Sequence, residues 1–336
     1  MIVTVTPNTA LDITYRLAGD GPLRLHTTNR AAAVTARAGG KGLNVARIAA
    51  ALGHRVVATG LVGGAVGEEL RAELAASAPT VDDALHPVAG ATRRTVTLVD
   101  GSGDATIVNE PGPQVSAAEW AAFRAHVREL ASRPGVRAVA LCGSLPPGAP
   151  ADGYAELVAD ARAAGVPVLL DASGEALARG LAARPDLVKP NADELGQLAG
   201  LDGPVDGPEA AVAAARALPA GAVVASLGAD GLVAVAGDAP AIHVPAPERI
   251  AGNPIGAGDS AVAGLLTGLV EGLDWERRLR RAVALSAATV AAPVAGDYDR
   301  GVYERLTARL AISAAPWERT AEHGTGDDRR TGLRGG

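Results

Sequence analysis

The run Asn253-Pro-Ile-Gly-Ala-Gly-Asp-Ser260 brings two glycines and a carboxylate to the start of an apolar helical stretch. Gly256, Ala257 and Gly258 let backbone N–H groups converge at a helix N-terminus, where unpaired donors and the helix dipole favour an anion. Asp259 follows directly. A carboxylate beside such a nest can take the proton of an attacking hydroxyl while the nest holds a transferring phosphoryl group. Taken alone, the commoner reading of so short a glycine motif is a tight turn with Asp259 capping the helix.

A second glycine-rich run, Ala38-Gly-Gly-Lys-Gly-Leu-Asn44, also leads into a helix. It is not a P-loop, which needs glycine where Thr35 stands and Ser or Thr where Gly42 stands. What remains is a close backbone approach at Gly39 and Gly40, a cation at Lys41 and an amide at Asn44, a set suited to sugar hydroxyls and an anionic group. An ordinary strand-to-helix turn with an exposed lysine fits equally well. Gly60-Leu-Val-Gly-Gly-Ala-Val-Gly67 lacks the dinucleotide spacing and its acidic partner, and reads as a strand-to-helix turn.

These segments need a scaffold, and the chain supplies a regular one. Short β-rich runs (Ile2 to Thr6, Arg55 to Leu61, Ala138 to Cys142, Val166 to Leu170, Ala222 to Ser226) alternate with Ala/Leu-rich stretches of helical period. The helical stretches are Gly42 to Leu52, Ala117 to Ala131, Ala151 to Ala164, Ala210 to Leu218, Ala257 to Glu271 and Glu276 to Ala292, with Gly53, Gly165 and Gly272 at cap positions. Near-continuous apolar strands require a sheet covered on both faces. The pattern predicts a three-layer α/β domain with a mainly parallel central sheet. Residues from about 12 to 36 and from 91 to 109 break the rhythm with alternating runs, the second turning at Asp100-Gly-Ser-Gly103, and predict a small β-sheet lid. One domain over 1–313 is expected, with a disordered tail over 314–336.

Composition narrows the function. Aromatic residues are 2% of the chain, too few for widespread stacking on bases, and a net charge of −6 argues against a broad nucleic-acid or anionic-membrane footprint. The single Cys142 forms no internal disulfide, six scattered histidines offer no zinc spacing, and the start shows no basic leader or long apolar core. A soluble, cytoplasmic protein is expected.

Ordered motifs then carry a resemblance. They are Thr6-Pro-Asn-Thr-Ala-Leu-Asp12, Gly39-Gly-Lys-Gly-Leu-Asn-Val-Ala-Arg47, Thr92-Arg93, Asn109-Glu-Pro-Gly-Pro113, Gly143-Ser-Leu-Pro-Pro-Gly148, Lys189-Pro-Asn-Ala-Asp-Glu194, Ser226-Leu-Gly-Ala-Asp-Gly231 and Gly256-Ala-Gly-Asp259. Over about residues 1 to 300 the sequence resembles the ribokinase-like (PfkB) carbohydrate kinases, in their sugar-phosphate branch of phosphofructokinase and tagatose-6-phosphate kinase type.

The resemblance implies ATP-dependent phosphorylation of a ketohexose phosphate (fructose 1-phosphate, fructose 6-phosphate or tagatose 6-phosphate), with Asp259 as base and Gly256 to Gly258 as anion hole. Asp12, Gly39, Gly40 and Asn44 would cradle the sugar, and Lys41 and Arg93 would hold its phosphate, with Ser144 as a secondary contact. Lys189 and Asn191 would serve the nucleotide phosphates, and Glu194 would act on Mg²⁺ through water. Ser226, Gly228 and Gly231 would form the nucleotide turn. A homodimer through the lid strands is also implied. Ile255 departs from the family's usual Thr, and Asn253-Pro254 and Pro293 to Gly296 resemble members described only as hexose kinases. Alternatives are a kinase of an unphosphorylated sugar or nucleoside, which the paired cations and scarce aromatics disfavour, and a non-catalytic sugar-phosphate binder, which would need no Asp259.

Overall fold

The computed structural model describes residues 1–250, 252, 254–292, 294 and 296–312. Asn253, Pro293 and the expected tail lie outside them. The chain opens with β1 (Ile2–Thr6), β2 (Ala10–Leu17) and β3 (Ala31–Gly39), then α1 (Lys41–Ala51), β4 (Val56–Val62) and α2 (Gly64–Ser77). Short strands β5 (Val81–Asp83) and β6 (His86–Pro87) precede β7 (Arg93–Val99) and β8 (Ala105–Asn109). Next come α3 (Ala117–Ala131), β9 (Ala138–Cys142), α4 (Gly153–Ala163), β10 (Val168–Asp171), α5 (Gly174–Ala182), β11 (Leu187–Val188), α6 (Ala192–Leu198) and α7 (Gly207–Arg216). Strands β12 (Ala222–Ser226), β13 (Leu232–Ala236) and β14 (Ile242–Val244) lead to α8 (Ala257–Glu271), α9 (Trp275–Val290) and α10 (Arg300–Ile312).

The large sheet has the order β14-β13-β12-β11-β10-β9-β1-β4-β5, with β6 beside β4. It is parallel from β12 through β5 and antiparallel at β13 and β14. Its strands are apolar throughout because both faces are covered. Along β9, Ala138, Ala140 and Cys142 pack into the core beneath α1, α8 and α9, while Val139 and Leu141 pack into the core beneath α3 and α4. Helix α8 is buried on nearly every side, which its apolar composition permits. It crosses α9 so closely that a Cβ on Gly264 would lie 2.7 Å from the Ala282 Cα.

Sequence order reverses at β1: β4 and β5 extend the sheet to one side, β9 to β12 to the other. Such a switch leaves a crevice beyond the carboxyl ends of the central strands, where α/β folds bind ligands. A second, four-stranded sheet, β3-β2-β7-β8, stands at this end. Its β7–β8 hairpin turns where the glycines predicted, with Asp100 Oδ1 accepting from the N–H groups of Ser102 and Asp104, both at 3.0 Å. The cap glycines Gly53, Gly165 and Gly272 all have left-handed φ, as the helix-stop reading requires. Helices α5 and α10 match none of the expected stretches, whereas the glycines of 60–67 mark the turn into α2. α2 carries two glycines and buries only Val66, Gly67, Leu70 and Leu74, so its apolar stripe is too sparse to stand out.

Candidate active site

Asp171 ends β10 and sits at the centre of the crevice, 1% exposed. Two ammonium groups flank it: Lys41 Nζ, from the first turn of α1, and Lys189 Nζ, just past β11, each 3.4 Å from a carboxylate oxygen. Its Oδ2, the oxygen beside Lys41 Nζ, accepts no hydrogen bond among the described residues although it is buried. Sequence reasoning passed over this residue. The signal was present, because Val-Leu-Leu-Asp171 is an apolar strand that ends on a carboxylate at the ligand-binding edge of a parallel sheet.

Asp259 lies in the first turn of α8, behind Gly256, whose φ of +86° only glycine adopts readily. The carboxylate is 6% exposed and accepts a hydrogen bond from Asn44 Nδ2 at 2.8 Å. Burial, reinforced by the Asp171 carboxylate, pushes its pKa up to about 7, against the opposing pull of Lys41, the Asn44 amide and Lys189. Asn44, expected in the sugar cradle, is thus placed on Asp259. Gly296 backs it, since a Cβ there would lie 2.6 Å from Asn44 Oδ1. Lys189 Nζ lies 3.5 Å from where a Cβ on Gly258 would project, which brings the expected nucleotide lysine to the expected anion nest. Within that nest the Ala257 N–H donates to Pro254 O at 3.1 Å, so this amide serves the turn.

At the small-sheet end, Asp12 lies on β2 against Gly39, where a Cβ would fall 2.0 Å from Asp12 Oδ2. Register pairs Ala10 with both Gly39 and Arg93, so these motifs meet on one patch of sheet. Burial raises the Asp12 pKa to about 6, offset by a Thr95 hydrogen bond and by the Arg93 and Arg47 charges. Arg93 Nε donates to Asn8 O at 3.4 Å and its Nη1 to Glu110 O at 3.3 Å, while Ser144 Oγ accepts from Asn8 Nδ2 at 3.1 Å. Behind the cradle, the buried Arg47 donates through Nη1 to Ala38 O at 2.5 Å and through Nη2 to Glu73 Oε2 at 2.9 Å. The same Glu73 oxygen accepts from Ala38 N at 2.6 Å. This pair satisfies the outer edge of β3 just before the Gly-Gly-Lys turn, where no further strand pairs among the described residues.

Along β11 and β12, Asn191 caps α6 with its side chain accepting from Glu194 N at 2.8 Å, and Glu194 Oε2 accepts in return from Asn191 N at 2.9 Å. Asn191 also bridges to Ser226, which starts the turn through Gly228 and Gly231. Gly231 is confined: a Cβ would lie 2.1 Å from Val244 O. Lys41, which feels the charge of both Asp259 and Glu194, stands between the two ends of the crevice rather than beside Arg93 alone.

The arrangement places a near-neutral buried carboxylate at a helix N-terminus, beside paired lysines, between a sugar-like cradle and a nucleotide-like turn. Residues 8–298 match the model of the pfkB family carbohydrate kinases. The chain belongs to that family. Membership makes it a phosphotransferase and implies ATP as phosphoryl donor. A 1-phosphofructokinase of Rhodobacter capsulatus is 43% identical over 289 residues, spanning 85% of this chain and 89% of the relative. The structure of Escherichia coli phosphofructokinase-2 in complex with fructose-6-phosphate superposes with a TM-score of 0.81 at 29% identity, over 92% of this chain and 99% of that one. Arabidopsis thaliana ribokinase shares the pfkB-type fold at a TM-score of 0.68 and 23% identity, over 91% of this chain and 98% of that one. No helix among the described residues is long and apolar enough to cross a membrane.

Proposed function

We propose that the protein transfers the γ-phosphoryl group of ATP to a hydroxyl of a ketohexose phosphate, with fructose 1-phosphate the first candidate among fructose 1-phosphate, fructose 6-phosphate and tagatose 6-phosphate. The observation that carries this reading is Asp259: a buried carboxylate of pKa about 7, hydrogen-bonded by Asn44 and set at a helix N-terminus facing two lysines. A base poised near neutrality combines a usable deprotonated fraction with a strong pull on the hydroxyl proton. The Rhodobacter capsulatus relative favours the 1-phosphate.

In this mechanism Asp12 and Gly39 orient the sugar hydroxyls, and Arg93 with Ser144 fixes the phosphate already present. Lys41 lies toward the transfer line. Asp259 accepts the proton of the attacking hydroxyl as the new P–O bond forms and ADP departs. Lys189 and the Gly258 N–H in the first turn of α8 stabilise charge on the transferring group, which is how phosphoryl transfer is chiefly accelerated. Lys189 and Asn191, with the Ser226 to Gly231 turn, hold the nucleotide.

The donor set fits Mg²⁺. Glu194 keeps Oε1 outside its cap, and Asp171 Oδ2, though 3.4 Å from the Lys41 ammonium, accepts no hydrogen bond among the described residues. Hard oxygen ligands of this number suit a cation that retains water and nucleotide oxygens, and when bound it neutralises phosphate charge. The β2–β3 and β7–β8 sheet would close over the sugar and exclude water. Its outer strands expose Val34, Ile107 and Val108, which suits contact with a second copy of the chain. A coupled assay of ADP formation over a panel of phosphorylated sugars, free sugars and nucleosides tests the assignment. Turnover confined to ketohexose phosphates is expected, and turnover only on free sugars or nucleosides would overturn it.

A further inference from the structure

Asn8 stands in the turn between β1 and β2 and is 4% exposed, yet it has a polar side chain and its Oδ1 accepts no hydrogen bond among the described residues. Gly112, at a φ of +100°, leaves room for that oxygen: a Cβ there would lie 2.2 Å from it. A buried acceptor without a partner is costly, so a residue that keeps one is explained by what its other atoms do.

Those atoms reach both groups at the phosphate end of the crevice. Nδ2 carries two hydrogens, and both are committed: one to Pro111 O at 3.0 Å, the other to Ser144 Oγ at 3.1 Å. The carbonyl of Pro111 can only accept, which fixes the orientation of the amide. Ser144 must then be the acceptor in its contact with Asn8, and its own hydroxyl proton is left to point elsewhere. Ser144 is exposed to the crevice. The backbone carbonyl of Asn8 meanwhile accepts from Arg93 Nε, and Glu110 O accepts from Nη1, so the guanidinium is held at two of its three nitrogens. Among the described residues no contact uses Nη2. One residue therefore ties together two donors that come from different elements, the loop after β9 and the start of β7.

We propose that Asn8 is the positioning residue of the phosphate subsite, turning the Ser144 hydroxyl into a donor and aligning it with the Arg93 guanidinium so that both meet one substrate phosphate. This inference rests on the reading of Ser144 and Arg93 as phosphate ligands given above. Asn8 itself touches no substrate.

The test is the Asn8→Asp variant, which keeps the shape and removes both donors. The carboxylate would take the Ser144 proton for itself and set a negative charge beside the phosphate. The expected result is a rise in KM for the sugar phosphate of ~10-fold or more, the order set by one lost hydrogen bond to a charged group. KM for ATP should stay close to that of the parent, while the melting temperature falls, because the new carboxylate is buried and faces the Pro111 carbonyl. Adding Ser144→Ala to Asn8→Asp should cost no more than Asn8→Asp alone, because both remove the same contact. Should Asn8→Asp fail to fold, Asn8→Ser carries the same comparison. An unchanged KM, or effects that simply add, would overturn the proposal. Ser144→Ala and Arg93→Gln measured singly separate the two levels. If neither alters KM for the sugar phosphate, the phosphate-end reading itself fails. If both do while the Asn8 variants do not, only the role of Asn8 fails.

Discussion

Asn44→Ala removes the side-chain hydrogen-bond donor that the described residues place on the Asp259 carboxylate, at 2.8 Å in a buried setting. A hydrogen bond to a charged group stabilises the ionised form by ~1.5–3 kcal/mol, and one pKa unit corresponds to ~1.4 kcal/mol, so the carboxylate should titrate ~1–2 units higher. Asp259 acts as a base only when deprotonated, so the rate of the parent should rise with pH through about 7. In Asn44→Ala that acid limb should move up, lowering kcat/KM at neutral pH by ~5- to 50-fold and restoring much of it in mildly alkaline buffer. Water entering the vacated space would solvate the carboxylate and pull the effect toward the smaller end. The assay is kcat/KM for the sugar phosphate across the pH range, read through ADP formation. A limb that stays in place, or a loss independent of pH, would refute the argument that this amide tunes the base.

Gly39→Ala should leave the fold intact, because Gly39 has no positive φ, but the new Cβ would displace the Asp12 carboxylate now 2.0 Å from its position. KM for the sugar should rise ~10-fold or more, the worth of a lost charged hydrogen bond, with KM for ATP unchanged. The Arg47–Glu73 pair predicts an asymmetry in stability, since Arg47 is 3% exposed and Glu73 21%. Glu73→Ala strands the buried guanidinium and should cost ~3 kcal/mol or more, whereas Arg47→Met leaves a carboxylate that water can reach and should cost less; urea denaturation decides.

The architecture was legible because strand and helix periods alternate cleanly. β1, β9 and β12, and helices α3 and α8, fall at the residues their patterns mark. The short β5 and β6 were not, since so few residues show no period and gain their pairing only from neighbours in space. Site residues inside glycine-framed motifs could be named in advance because glycine marks close approach. Asp171 and Asn8 could not be singled out in this way. Their importance lies in partners 130 and 136 residues away, which spacing along the chain does not encode. Asn44 shows the same limit: its motif suggested a ligand to sugar, and the packing of α1 on α8 turned its amide toward Asp259.

The most direct test of the central claim is single-turnover phosphoryl transfer by Asp259→Asn, measured beside its affinity for the sugar phosphate. The side chain keeps its shape and an oxygen to accept from Asn44, so binding should persist while turnover falls by ~10²-fold or more, the usual worth of a positioned base. Near-parental turnover with binding retained would contradict the account.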